Sequence, residues 1–434
     1  MSFSSESEIF IVTGISNLSL LAYNTFPCHN IILDFVFWIC PQYYIIMYPN
    51  QKTELICLLI LLINFNKIKA KQPTLLCKDM NFSIIRILRS YLACQTAICI
   101  LAADFIRMFP AKFGKSLDYG FKLMDIGVGS YIYNCGLMIN KTKVTTNLKI
   151  NITTNHNKET DVNNYIKTLP QDKVKRIINK NILILLILGL IRYMTICVFN
   201  LQVEVAEYGV HSNFYFILAL VQFIYKIFPY NKLGYPLLII YQIVTRHYKI
   251  DKFILNNNRH GFIFQNKETF FVIIPFLCLM MILQDISRIL FYPFLINQNN
   301  VKEAKLDNLK YKILNLSKYL GIFYLLYRMF AYFEDPSRRL CNATYVFFIL
   351  YLHTAHLLIY IFVSILTHFQ NYTTLDFVSK NMMTNFLLTN LLVLFFKQII
   401  EFKDNQCHWV IIFYLILSFT LPPIISRSFN INKI

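Results

Sequence analysis

The stretch Leu101–Leu137, LAADFIRMFPAKFGKSLDYGFKLMDIGVGSYIYNCGL, decides how the chain is read. It starts inside an apolar run, breaks at Phe109-Pro110 and crosses a short basic connection holding Lys112 and Lys115. It then enters a second apolar run with Asp125, Gly127 and Gly129. Proline lacks a backbone donor and crowds the preceding turn, so the stretch is two segments rather than one. Apolar segments around a polar connection are the pattern of helices that enter and leave a bilayer, where each backbone amide must be satisfied within its own segment. Carboxylates at that depth, Asp104 and Asp125, cost free energy and mark functional positions by default.

The rest of the chain has the same character. Of 434 residues, 56% are hydrophobic and 15% charged, where a soluble protein carries about 25% charged residues. A span needs about 20 apolar residues. Runs of this kind fall near 31–48, 54–67, 91–109, 120–138, 181–199, 213–229, 232–247, 269–291, 311–332, 343–366, 383–402 and 407–425. A further weak run covers Ile15 to Tyr23. The expected fold is all-α: a polytopic transmembrane helical bundle of about 12–13 spans, forming one integral-membrane domain over 1–434. No internal repeat, heptad array or second soluble domain is visible.

Net charge is +19, and the cations sit mostly in loops. Retention of basic loops in the cytosol and contact with anionic headgroups explain this, and nucleic-acid binding is set aside. The basic hydrophilic loop at 140–180 holds nine Lys and Arg residues against Glu159, Asp161 and Asp172. The chain has 11 cysteines but no CxxC and no Cys/His zinc spacing, so free thiols and no metal site are expected. No cleavable signal peptide is expected, because residues 1–8 are serine-rich and acidic.

Several groups of polar residues stand out. Asp104 and Arg107, three apart in the 91–109 run, share a helical face, with Lys112 and Lys115 just beyond Pro110. Asp125 reads as lying about a turn inside the next span, before two glycines that permit close helix contact. Composition leaves a structural polar network and a catalytic site equally open. Glu204, Glu207 and His211 have helical spacing in VEVAEYGVHSNFYF, with Asn213 at the entry to a span. Arg259, Lys267 and Glu268 lie in one connection; Arg338 and Arg339 precede the span that starts at Ala343. Adjacent arginines at a boundary anchor to lipid or fork onto a phosphate. His353 and His356 share a face inside a span, where two histidines alone do not complete a metal site. Asn381, Asn385 and Asn390 are placed to tie helices together.

Taken as one pattern, Ile100–Phe105, Phe109-Pro110, Phe113, Lys115, Gly120 and Leu123–Ser130 resemble the signature of the GPI inositol acyltransferases. That family is phosphatidylinositol-glycan class W in animals and GPI-anchored wall transfer protein in fungi. EYGVHSNF (Glu207–Phe214) resembles the family's EYGVHWNF, and SRRLCNATYV (Ser337–Val346) its SRRLANLPYV. Asn266–Glu268 preceded by Arg259, Leu33–Pro41, Phe10–Gly14 and Lys380–Asn390 resemble further blocks in family order. The resemblance covers nearly the whole chain. The chain departs from the pattern by one inserted residue between Asp104 and Phe109, by Ala111-Lys112 where the family has an arginine pair, and by Leu117, Ser212 and Thr269.

The resemblance implies transfer of a fatty acyl group, palmitoyl in most members, from acyl-CoA to the inositol ring of glucosaminyl-phosphatidylinositol. This is a step of GPI-anchor assembly in the endoplasmic reticulum membrane, with no metal or redox cofactor. It implies Asp104 as general base, Lys115 as its partner or oxyanion stabiliser, and Asp125 as the group that orients the site or the sugar amine. Arg259, Arg338 and Arg339 become candidates for phosphates of coenzyme A or the lipid. Glu207, His211 and Asn213 become candidates for a headgroup cavity, and Lys267, Glu268 and Asn381 for substrate binding. Two other readings fit the residues: a transporter coupling through Asp104 and Asp125, and a non-catalytic lipid-binding relative. A transporter would more readily show related halves.

Overall fold

The computed structural model describes residues 6–26, 30–65, 80–103, 105, 109–139, 171–199, 205–256, 259–291, 301–367, 372–399, 407–420 and 422–424. All regular structure among the described residues is helical. In chain order the helices are α1 (Glu6–Asn24), α2 (Ile31–Met47, with a π turn over Phe35–Ile39), α3 (Lys52–Phe65), α4 (Met80–Ala102) and α5 (Ile126–Leu137). They continue with α6 (Gln171–Phe199), α7 (Val205–Tyr208), α8 (Phe214–Ile227), α9 (Gly234–His247), α10 (Ile250–Leu255), α11 (Phe262–Gln265) and α12 (Lys267–Phe291). The last are α13 (Val301–Phe333), α14 (Ala343–Leu366), α15 (Thr373–Lys380), α16 (Met382–Ile399) and α17 (Cys407–Phe419).

The bundle differs from a row of a dozen straight spans. Among the described residues, three helices are long and apolar enough to cross a bilayer: Ser83–Ala102, Lys267–Phe291 and Ala343–Leu366. Two more crossings arise only if bent pairs count as one span each. Ile31–Met47 and Pro49–Ile63 bend by 113°, and Phe214–Ile227 and Asn231–His247 by 119°. The sequence pattern counts each pair as two spans because Pro49, and the Phe228–Leu233 connection, interrupt hydropathy as a loop would. Helix α5, with 12 residues, extends about 18 Å, well short of a hydrocarbon core. Helix α4 ends at Ala102, not near 109, so the expected helical pairing of Asp104 with Arg107 falls on residues outside those described. Residues 140–170 of the basic loop also lie outside them.

Contacts group the chain into two compact units. The first holds Met1–Ser130, Phe294–Leu320 and Leu352–Ile434. Its N-terminal helix α1 is buried along its length, although the sequence offers only a weak apolar run there. The buried Asp34 carboxylate accepts the Tyr23 hydroxyl at 2.5 Å and the Thr374 amide at 2.7 Å, joining α1, α2 and α15. Trp38 is buried in the π turn, its ring edge-on to Tyr91, while Trp409 on α17 is 76% exposed. Beside Trp409, the two ring nitrogens of His408 lie 2.5 and 2.9 Å from the Tyr43 and Tyr48 hydroxyls.

The second unit holds Tyr131–Pro293 and Gly321–Tyr351. Close approach of α6 to α8 requires Gly189, since a Cβ there would stand 2.7 Å from the Phe216 ring. The outer face of α6 is apolar and exposed at Leu183, Ile187, Leu190, Met194 and Val198, as a bilayer-facing surface should be. Helix α14 starts where it does because Asn342 accepts the Tyr345 amide at 3.1 Å, satisfying one of the orphan donors of a helix N-terminus. The described cysteines are free thiols.

Candidate functional site

The first cluster is the connection from Pro110 to Asp125. Asp125 sits in a 3-10 turn, Leu123–Asp125, ahead of α5 and not a turn inside it. It is 1% exposed. Its carboxylate accepts the Ser116 amide at 3.1 and 3.2 Å and the Lys122 amide at 3.1 Å. The Lys122 ammonium closes the loop on the Ala111 carbonyl at 3.1 Å. One buried carboxylate therefore folds the connection back on itself, and the residue whose backbone it fixes next in line is Lys115. The Lys115 side chain is half-buried. Lys112 is held by Glu8 of α1. Asp104, the expected base, lies outside the described residues. Because an unmade buried amide bond costs about 1–3 kcal/mol, Asp125→Ala should speed hydrogen exchange at Ser116 and Lys122 by about tenfold or more, leaving amides in the middle of α14 as slow as before.

Behind this loop lies a polar network that sequence reasoning undervalued. The Ser130 hydroxyl, one turn into α5, is 2.6 Å from His353 Nε2 on α14. Three residues along α14, His356 Nδ1 is 3.1 Å from the Asn17 amide and its Nε2 is 2.9 Å from the Thr13 hydroxyl. Ser16 meets the Tyr360 hydroxyl at 2.9 Å. Both histidines are fully buried, and their rings are 6.4 Å apart. Small polar side chains at Thr13, Ser16 and Asn17 recur at helical spacing, and that stripe was the available signal.

In the second unit, residues from three separate sequence stretches engage one another. Glu268, with no exposed surface, accepts Arg259 in a fork at 2.7 and 2.6 Å and Arg339 at 3.3 Å. Lys267 is buried and donates to the Phe253 carbonyl at 2.7 Å and to the Asn256 carbonyl. Arg338 pairs with Glu207 at 3.1 Å. Cys341, in the left-handed region at φ 49°, turns the chain after the two arginines. Burial, then the Glu207 charge, holds the Tyr208 phenol above its ordinary pKa.

The expected Glu204–Glu207–His211 face is not formed. Glu204 lies outside the described residues, and Gly209 at φ +92° breaks the helix after Tyr208. A Cβ at Gly209 would stand 2.6 Å from the Gln265 carbonyl oxygen. His211 turns instead to Asn266, which accepts its amide at 2.9 Å and lies 3.2 Å from its ring. Asn213 caps α8, accepting the Tyr215 and Phe216 amides, and gives its own amide hydrogen to Gly189 O at 2.9 Å. Asn381 and Asn390 bond to carbonyls of their own helical stretches, Phe377 and Phe386, rather than to neighbouring helices.

The sequence was compared with known proteins. A family model described as GWT1 matches residues 2–422. The chain is similar to GPI-anchored wall transfer protein 1 of Candida albicans, 27% identical over 359 residues covering 76% of this chain and 71% of that protein. It is similar to the phosphatidylinositol-glycan biosynthesis class W protein of Dictyostelium discoideum, 26% identical over 347 residues, 74% of this chain and 68% of that one. GPI-anchored wall transfer protein 1 of Cryptococcus neoformans var. grubii is 30% identical over 344 residues, 71% of this chain and 55% of its own length.

Proposed function

The chain belongs to the GWT1 family, and from that premise we propose that it acts in GPI-anchor biosynthesis as a multi-pass O-acyltransferase of the endoplasmic reticulum membrane. It moves a fatty acyl group, palmitoyl as in most members, from acyl-CoA to the inositol ring of glucosaminyl-phosphatidylinositol. The observation that carries the reading is the Pro110–Asp125 connection, in which a buried carboxylate presets the backbone beside a half-buried lysine.

An inositol hydroxyl is a weak nucleophile. Asp104 takes its proton as the oxygen attacks the thioester carbonyl. The C–O bond forms, the C–S bond breaks, and the coenzyme A thiolate leaves and recovers the proton. Charge develops on the carbonyl oxygen in between, where a fixed cation such as the Lys115 ammonium is worth most. Asp125 acts through the loop it shapes and positions Lys115. The thioester already carries the driving force, so no metal or redox cofactor enters this proposal. Within the second unit, Glu207, His211 and Arg338, with Arg259, Lys267, Glu268, Arg339 and Asn213, are assigned to substrate binding in this proposal. Asn381 caps its own helical stretch and is given no part in it.

The test is rescue. The chain is expressed in cells lacking their own inositol acyltransferase and fed labelled inositol. Acylated glucosaminyl-phosphatidylinositol should appear. Its absence at wild-type expression would remove the acyltransferase reading in favour of a lipid-binding relative.

A further inference from the structure

The two carboxylates that hold the Pro110–Asp125 connection are tied to α14 in the same way. Glu8 of α1 engages Lys112 near the start of the connection. Asp125, just ahead of α5, takes the Ser116 and Lys122 amides. The first of these belongs to the peptide bond that Lys115 makes with Ser116. The residue after each carboxylate is an isoleucine whose carbonyl accepts a hydroxyl from one turn later: Thr13 to Ile9 at 2.8 Å, and Ser130 to Ile126 at 2.7 Å. Each hydroxyl then meets a histidine Nε2 on α14. His356 lies 2.9 Å from Thr13, and His353 lies 2.6 Å from Ser130. A hydroxyl has a single hydrogen, and both are directed at carbonyls, so each imidazole donates its Nε2–H. The Asn17 amide, which donates to His356 Nδ1 at 3.1 Å, fixes the same tautomer there.

His353 and His356 are three apart and share a face of α14. Both are fully buried, so they act through what they hold. Phe10 stacks on the His356 ring with centroids 5.2 Å apart, and Tyr360, a turn further, meets Ser16 at 2.9 Å. Helix α1 therefore cannot slide or turn against α14 without breaking bonds on two turns. All of these residues belong to the first unit. We propose that His353 and His356 are positioning residues: from one face of α14 they set the spacing between Glu8 and Asp125, and so the place at which Lys115 meets the reacting carbonyl. A directional bond suits this task, because a buried hydroxyl has no water to turn to and a low local dielectric strengthens the bond it makes. The assignment rests on the acyl-transfer reading only in treating the connection as catalytic.

The test separates the two prongs of this brace. Hydrogen exchange is followed on purified protein in neutral detergent, with no turnover required. In His353→Leu the Ser116 and Lys122 amides should exchange about two- to tenfold faster. The Phe113 amide, bonded to the Pro110 carbonyl at 2.8 Å in the turn that holds Lys112, should stay as slow as in wild type. His356→Leu should do the reverse. His353→Gln keeps a donor where Nε2–H stood and should return to wild-type exchange. Ser130→Ala breaks the first prong from its other end, and it carries the test if His353→Leu does not fold. In acyl transfer by the purified enzyme, His353→Leu should lower kcat about ten- to a hundredfold, with KM for acyl-CoA within about twofold of wild type. Unchanged exchange at Ser116 and Lys122 in both His353→Leu and Ser130→Ala overturns the brace. Equal acceleration of all three amides in either leucine variant does so too, being the sign of general loosening. Full kcat in His353→Leu despite faster exchange overturns the positioning role. A wild type that acylates nothing, beside the expected exchange pattern, would remove the reaction and keep the brace.

Discussion

Asp104→Ala and Lys115→Ala are each expected to abolish inositol acylation in the rescue assay at wild-type protein level. A positioned base contributes about a hundred- to ten-thousandfold, and a fixed donor to a developing oxyanion about a hundred- to a thousandfold. Either loss takes a turnover-limited product below detection. The contrast within the loop makes the result interpretable. Lys112 is also a lysine of this connection, but it is engaged by Glu8 in a part-exposed pair, with 24% and 12% of the two side chains accessible. Opening such a pair costs about 0–1 kcal/mol, so Lys112→Ala should keep acylation within about fivefold of wild type. If Lys112→Ala and Lys115→Ala fall equally, the loop contributes general positive charge and the assignment of Lys115 fails.

The largest stability effect is expected at Glu268. Its carboxylate is fully buried and balances Arg259 and Arg339, with Lys267 beside it on the same helix turn. Glutamine keeps the volume and part of the hydrogen bonding but leaves the neighbouring guanidiniums without a counter-charge in a low-dielectric site. Removing one partner of a buried ion network costs about 3–5 kcal/mol. Glu268→Gln should therefore lose most of its folded fraction at temperatures the wild type survives, read as the peak remaining on size exclusion after heating. Arg259→Gln should lose less, because Arg259 is the more exposed cation and Arg339 still faces the carboxylate. Equal thermal survival of Glu268→Gln and wild type would show that the network is not structural.

Sequence patterns carried the helical membrane architecture because apolar runs are a property of composition, and the bilayer allows few alternatives. The polar residues of the second cluster, Glu207, Arg259, Lys267, Glu268, Arg338 and Arg339, stand out in the sequence as three separate stretches. Their pairing was not legible, since Glu268 meets Arg339 across 71 positions and no periodicity encodes such a contact. Spacing misled at Glu207 and His211, where a glycine in a left-handed turn overrides an i,i+4 pattern. It misled again at Asp125, whose oxygens are taken by backbone amides of its own loop. The histidine pair was visible, but its partners Thr13, Asn17 and Ser130 belong to distant segments. Where two apolar runs form one bent pair, the bend was not legible, because hydropathy measures how apolar a segment is and not which way it turns.

The chain's two tryptophans occupy opposite environments: Trp38 is 2% exposed and Trp409 is 76% exposed. That division equips the protein with a pair of built-in fluorophores. A quencher in the surrounding medium has access to Trp409 and none to Trp38 while the π turn remains packed, so emission from one reports the surroundings and emission from the other the integrity of the fold. Detergent choice, reconstitution and ligand stabilisation can each be followed on the unlabelled chain, with Trp409→Phe isolating the interior signal.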